Sequence, residues 1–171
     1  MGLFSNIFGE KKTKISSQKW SDNAIKQLTS DKWDGVRKEL YIKSKEQIPE
    51  VISIPEHIFI AELLGAQLEL LSFASVRTNT KIGFALYPAI IRYMNNLEPS
   101  IKEHVEESYT NANKKVAAFG RRGISGCNAI ATSFAERLGL NATSEFIEQL
   151  EEEFEALGLI WIKDVSQYKL T

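Results

Sequence analysis

The sequence has little of what usually marks a reactive or stapled protein. One cysteine, Cys127, stands among 171 residues, so no disulfide can form within the chain; this suits a reducing compartment and an expected cytoplasmic location. There are two histidines, His57 and His104, with no Glu-x-x-His pair and no zinc-type spacing, so no metal and no cofactor is expected. Gly-Lys-Ser/Thr is missing from the single glycine-rich loop, and no strand precedes that loop, which removes both common nucleotide signatures. Charge of one sign is missing as well. Lys and Arg total 21 against 22 Asp and Glu, a net charge of -1, so no nucleic acid is expected as a partner. Long apolar runs are absent. The nearest, Ile58 to Val76, is interrupted by Glu62, Gln67 and Glu69 and reads as a core helix rather than a membrane span. The apolar stretch Leu3 to Phe8 is too short for a signal peptide, and none is expected.

What is present is ordinary globular material, 43% hydrophobic and 25% charged, which argues against disorder over most of the chain. The organisation expected is a tail over 1–19 and a single helical domain over 20–171. In the tail, Leu3, Phe4, Ile7 and Phe8 fall on one stripe of a short helix, with Lys11, Lys12, Lys14 and Lys19 behind them. So short a helix is marginal alone and needs a surface to lie on, a membrane surface being one candidate.

Start and stop signals divide the remainder. Ser21 or Asp22 can cap a helix to about Leu28, and Ser30-Asp31 opens another, with Asp31 and Asp34 in its first turn. Pro49 and Pro55 bracket a connector. A helix from Pro55 to about Arg77 is apolar nearly all round, except for a line of Glu62, Gly65, Glu69 and Ser72 that reads as one wet edge. A second apolar helix covers about Ile82 to Asn96, with Pro88 as a kink or true start. These two helices form the expected water-excluded centre. Pro99 opens a helix to about Phe119 with Ile101, Val105 and Tyr109 inward; a helix from Asn128 stops at Gly139; Thr143 or Ser144 caps the last, which Gly158 should end. Leu159 to Ile162 then reads as a short extended segment or packed terminus. The fold class is all-α: an irregular single-domain bundle of about six or seven helices, since no heptad is sustained.

Candidate chemistry is sparse. Cys127 near a helix start, with Arg121 and Arg122 close by, could have a lowered pKa, but neither histidine has a spacing that implies contact, and a buried structural cysteine is the plainer reading. Gly120, Arg121, Arg122 and Gly123 could form an anion-binding nest, against the plainer reading of a helix connection. Glu62 and Glu69 could share a face as acid and base, with arginine pairing the usual resolution and Arg92 a partner in view. The strongest compositional feature is the run Glu145, Glu148, Glu151, Glu152, Glu153 and Glu155. Such a run is commonly a solvated face; its functional reading is a docking surface for a protein with a basic surface. No catalytic residue is assigned. The reading is a non-enzymatic interaction module, an adaptor, regulator or toxin-neutralising partner, acting through Glu145, Glu148, Glu151, Glu152 and Glu155. The alternatives are peripheral membrane association through the tail and a small enzyme using Cys127 or the arginine loop.

Overall fold

The structure, a computed structural model, describes residues 13–120, 125–140 and 143–171. Seven α-helices run through the described residues: α1 (Ser17–Leu28), α2 (Asp31–Gln47), α3 (Glu56–Thr78), α4 (Gly83–Asn95), α5 (Pro99–Gly120), α6 (Gly126–Arg137) and α7 (Ser144–Ser166). Two three-residue strands, β1 (Thr13–Ile15) and β2 (Tyr168–Leu170), pair in parallel, and 3-10 turns cover Pro49–Ser53 and Thr80–Ile82. The bundle is all-α, as expected.

Cap chemistry explains several boundaries. The Ser125 and Thr143 hydroxyls accept from Asn128 N and Phe146 N, closing the first turns of α6 and α7. Gly139 takes φ +66 after α6, a left-handed position open to glycine at little cost. At α1 the boundary moves. Its cap is Ser16, whose side chain accepts from Lys19 N, so the tail boundary drawn at 19 falls inside a helix. Residues 13–15 already belong to the body, with Thr171 N donating to Ile15 O at 3.1 Å. The tail residues Leu3, Phe4, Ile7 and Phe8 lie outside the described residues.

α3 is the axis of the molecule, with fourteen of its 23 residues buried. Among the described residues it is the one helix long and apolar enough to cross a membrane, and here it is packed among the other helices. One core cluster joins it to α1 and α4 through Trp20, Leu28, Leu86 and Ile90, with Trp161 of α7 stacked on Trp33 at 6.1 Å. The other joins it to α6 and α7 through Phe59, Phe134, Phe146 and Phe154, with Phe134 edge-on to Phe59 at 5.2 Å. Each such buried side chain contributes on the order of 1.5–3 kcal/mol.

Three expectations change. Of the line Glu62, Gly65, Glu69 and Ser72, the first three are buried rather than wet, because α5 lies along them, and Ser72 is half-buried. A Cβ at Gly65 would stand 2.5 Å from Val105 O and 2.6 Å from Ser108 Cβ, so glycine is what lets the two backbones meet. α4 is not fully central. It buries Leu86, Ala89, Ile90 and Met94 and leaves Phe84 and Tyr87 in solvent. Gly158 does not end α7, which continues to Ser166, so Leu159 to Ile162 is helical and the extended segment comes later, at Tyr168–Leu170. Gly158 faces Leu70 and Ala74 of α3, which lie 3.6 and 3.9 Å from where a Cβ would be, at ordinary packing distance.

Candidate functional site

Polar side chains gather in two regions: the buried α3–α5 seam and the solvent-facing outer side of α7. The seam holds two glutamates on one face of α3, two turns apart. Glu62 is 1% exposed and fully engaged. Arg137 of α6 grips it two-pronged, Nε to Oε2 at 3.1 Å and Nη2 to Oε1 at 2.6 Å, while His104 Nδ1 of α5 lies 3.0 Å from Oε1. Since a carboxylate only accepts, the histidine proton belongs on Nδ1. Arg137 extends outward to Glu107 Oε2 at 2.6 Å, and its pKa is raised, first by the hydrogen bond to Glu62. Arg92, the partner in view from the sequence, instead meets Asp22 at 3.0 Å on the surface.

Glu69 is also buried, at 2% exposure, but no cation among the described residues pairs with it. Its hydrogen-bond partner is the Asn113 amide, 3.2 Å from each oxygen. Burial pushes its carboxyl up to about 7, with the Asn113 bond pulling the other way. The neighbouring Tyr109 hydroxyl is held protonated, by burial first and by Glu69 second. This seam rigidifies the α3–α5 contact. Among the described residues no three His, Cys, Asp or Glu side chains gather as a metal would require.

The outer side of α7 differs in kind. Glu145, Glu148, Glu152, Glu153 and Glu155 are exposed, because positions 146, 150 and 154 take the inward stripe. Glu151 is not part of that open row. It is half-buried and accepts from Asn128 Nδ2 at 2.7 Å, tying α7 to α6. The acidic row stands beside apolar depressions. Glu152 and Glu153 rim a groove of about 380 Å³ whose floor is Leu40, Phe146, Leu150 and Ala156, between α2 and α7. The groove continues over Val36, Leu63 and Leu157 to Gln67, whose Oε1 accepts from the buried Arg37 Nη1 at 2.9 Å. On the other side, Glu155 borders a cavity of about 420 Å³ lined by Leu70, Phe73, Cys127, Leu159 and Ile162.

Cys127 sits at the start of α6 as expected, but its environment opposes reactivity. Burial pushes the thiol up to about 11, helped by Glu155 and Glu151, and Arg77 offsets only part of this. A thiol held protonated at neutral pH is a weak nucleophile. His104 is taken up by Glu62, and His57 is exposed at the start of α3. Gly120 is the last residue of α5; Arg121, Arg122 and Gly123, the rest of the anion-site candidate, lie outside the described residues. Sequence reading missed the Glu62–Arg137–His104 cluster, which joins positions up to 75 apart. Comparison with protein-family models, curated proteins and solved structures finds no match for this chain.

Proposed function

We propose that the chain is a non-enzymatic protein-interaction module whose docking surface is the N-terminal part of α7 with the α2–α7 groove, and whose partner presents a basic amphipathic helix. One observation carries the reading: in a groove that Lys43, itself paired with Glu39 at 3.2 Å, also lines, the carboxylates Glu152 and Glu153 stand beside an apolar surface of Leu40, Phe146 and Leu150. An amphipathic helix lays its apolar face into such a groove, and cations on its flanks meet the rim. The charge on the rim acts mainly on encounter rate and orientation, the floor on residence time. The protonated Cys127 and the closed pairing of Glu62 support an interaction role over a catalytic one.

The test is charge reversal at Glu148, Glu152, Glu153 and Glu155 to Lys. Glu151 is left intact because it anchors Asn128. For a partner identified with the wild-type chain, the association rate should fall at least about tenfold at low salt, and the difference should shrink as salt is raised. A control reversal of two charges on α5, at Glu103 and Glu106, should leave binding unchanged; its matched comparison is the pair Glu152 and Glu153 reversed alone. If the α7 variant binds with wild-type affinity, the acidic row has no part in recognition.

A further inference from the structure

We propose that the end of the bundle formed by the α3–α4 turn and the C-terminal half of α7 docks on an anionic lipid bilayer, with Phe84 and Tyr87 entering the headgroup region. This surface is separate from the α2–α7 groove and stands on other observations. Phe84 is 89% exposed and Tyr87 55%, so Phe84 gives the core almost none of its apolar area and Tyr87 leaves about half of its own in solvent. A ring that far exposed projects from the surface with no facing wall, which suits a deformable interface better than a rigid protein face. Tyr87 suits that interface because its apolar ring and its hydroxyl can both be satisfied there, and Phe84 supplies apolar area to it.

Along the chain segment that carries them the charge is of one sign. From residue 70 to residue 97 the sequence has Arg77, Lys81 and Arg92 and no Asp or Glu. Arg92 is occupied by Asp22, which leaves Arg77 and Lys81, both exposed, on either side of the turn that leads to Phe84. α7 reaches the same end. Its Leu159 and Ile162 line one cavity with Arg77 and Thr78, and Gly83 stands against Val76. Leu159 is 64% exposed and Ile162 38%, with the exposed Lys163 beside them. The nearest carboxylate in that cavity, Glu155, lies one turn back, toward the acidic half of the helix. Aromatic and aliphatic tips interleaved with cations match an anionic headgroup layer, where the rings enter the interface and each nearby cation adds electrostatic attraction.

The full chain is mixed with phosphatidylcholine vesicles, with and without about 30% phosphatidylserine, and sedimented; the anionic lipid supplies the surface potential that draws cations. Binding should require phosphatidylserine and weaken with added salt. Phe84→Ser should weaken it roughly tenfold or more, as loss of one buried aromatic ring implies, and Tyr87→Ser less. Arg77→Gln with Lys81→Gln should reduce the preference for anionic vesicles. Both rings are solvent-exposed, so the variants should keep the wild-type melting curve, which circular dichroism checks. Because Leu3, Phe4, Ile7 and Phe8 offer a second apolar stripe, a chain with all four changed to Ser is measured alongside; it should still lose binding on Phe84→Ser. Wild-type binding by Phe84→Ser, absence of binding by the full chain, or a self-association that Phe84→Ser abolishes without any vesicle binding would each overturn the proposal.

Discussion

Glu62 and Glu69 occupy the same face of α3, seven residues apart, at equal depth, yet their surroundings are opposite. Glu62 has a two-pronged guanidinium and an imidazole; Glu69 has an amide. The first is a charge taken out of water and compensated; the second is a charge taken out of water and left to neutralise itself. The lesson is that burial alone does not decide whether a carboxylate is ionised. What decides it is whether an opposing helix, α6 through Arg137, reaches across the seam at that level. At Glu69 the seam offers Asn113 and Tyr109, neither of which carries positive charge.

Removing the cation from the first site should have the largest effect. Arg137→Met leaves a buried carboxylate facing only His104, and breaking such a pair costs about 3–5 kcal/mol; because Arg137 is partly exposed, the lower end is expected, near 3. Urea unfolding at pH 7 measures it. Adding Glu62→Gln should recover part of the loss, and a single-variant cost under about 1 kcal/mol would show that the pair holds little of the seam together.

Neutralising the second site should act in the reverse direction. A carboxyl at about 7 in the folded chain against 4.5 unfolded keeps its proton longer when folded. Stability is therefore unpenalised below about pH 4.5, falls as pH rises toward 7, and stays lower above that by about 3 kcal/mol. Glu69→Gln should remove this penalty. The variant should be more stable than wild type at pH 8, by up to about 3 kcal/mol, and nearly equal to it at pH 4.5. Unfolding curves at the two pH values decide it, and an equal gain at both would mean that packing rather than ionisation is responsible.

The smallest change tests the ground that both sites share. Gly65→Ala puts a methyl into Val105 O and Ser108 Cβ between the two glutamates, and should cost about 1–3 kcal/mol by forcing α3 and α5 apart. A melting temperature within error of wild type would mean that the seam yields without strain.

The fold was legible wherever a boundary carries its own chemistry. Ser30-Asp31, Pro99, Gly139 and Thr143 mark helix ends by local hydrogen bonding or backbone geometry, and each appears in place. What misled was polarity without a partner in view. A line of Glu, Gly and Glu along an apolar helix has the same sequence whether water or α5 lies against it, and Arg137 is 75 residues from Glu62. Gly158 misled in the same way. It lies inside α7 facing Leu70 and Ala74, and among the described residues the glycine with positive φ is Gly139. Strands of three residues give no usable period, so β1 and β2 could be seen only once the two ends met. Of the candidate site, the glutamate row on α7 was legible from composition and helical spacing. The groove beside it was not, because it depends on how far α2 stands from α7.

The pairing of β1 with β2 closes the chain into a loop. Ile15 and Leu170 are register partners, Ser17 N donates to Thr171 O at 3.0 Å, and Trp20 Nε1 donates to Asp164 Oδ2 at 2.8 Å. Among the described residues these contacts join the most distant parts of the sequence, so they carry the highest loop-closure cost there and should be made late in folding. Pulled from its two ends, the protein would load this short zipper in shear before any helix felt the force.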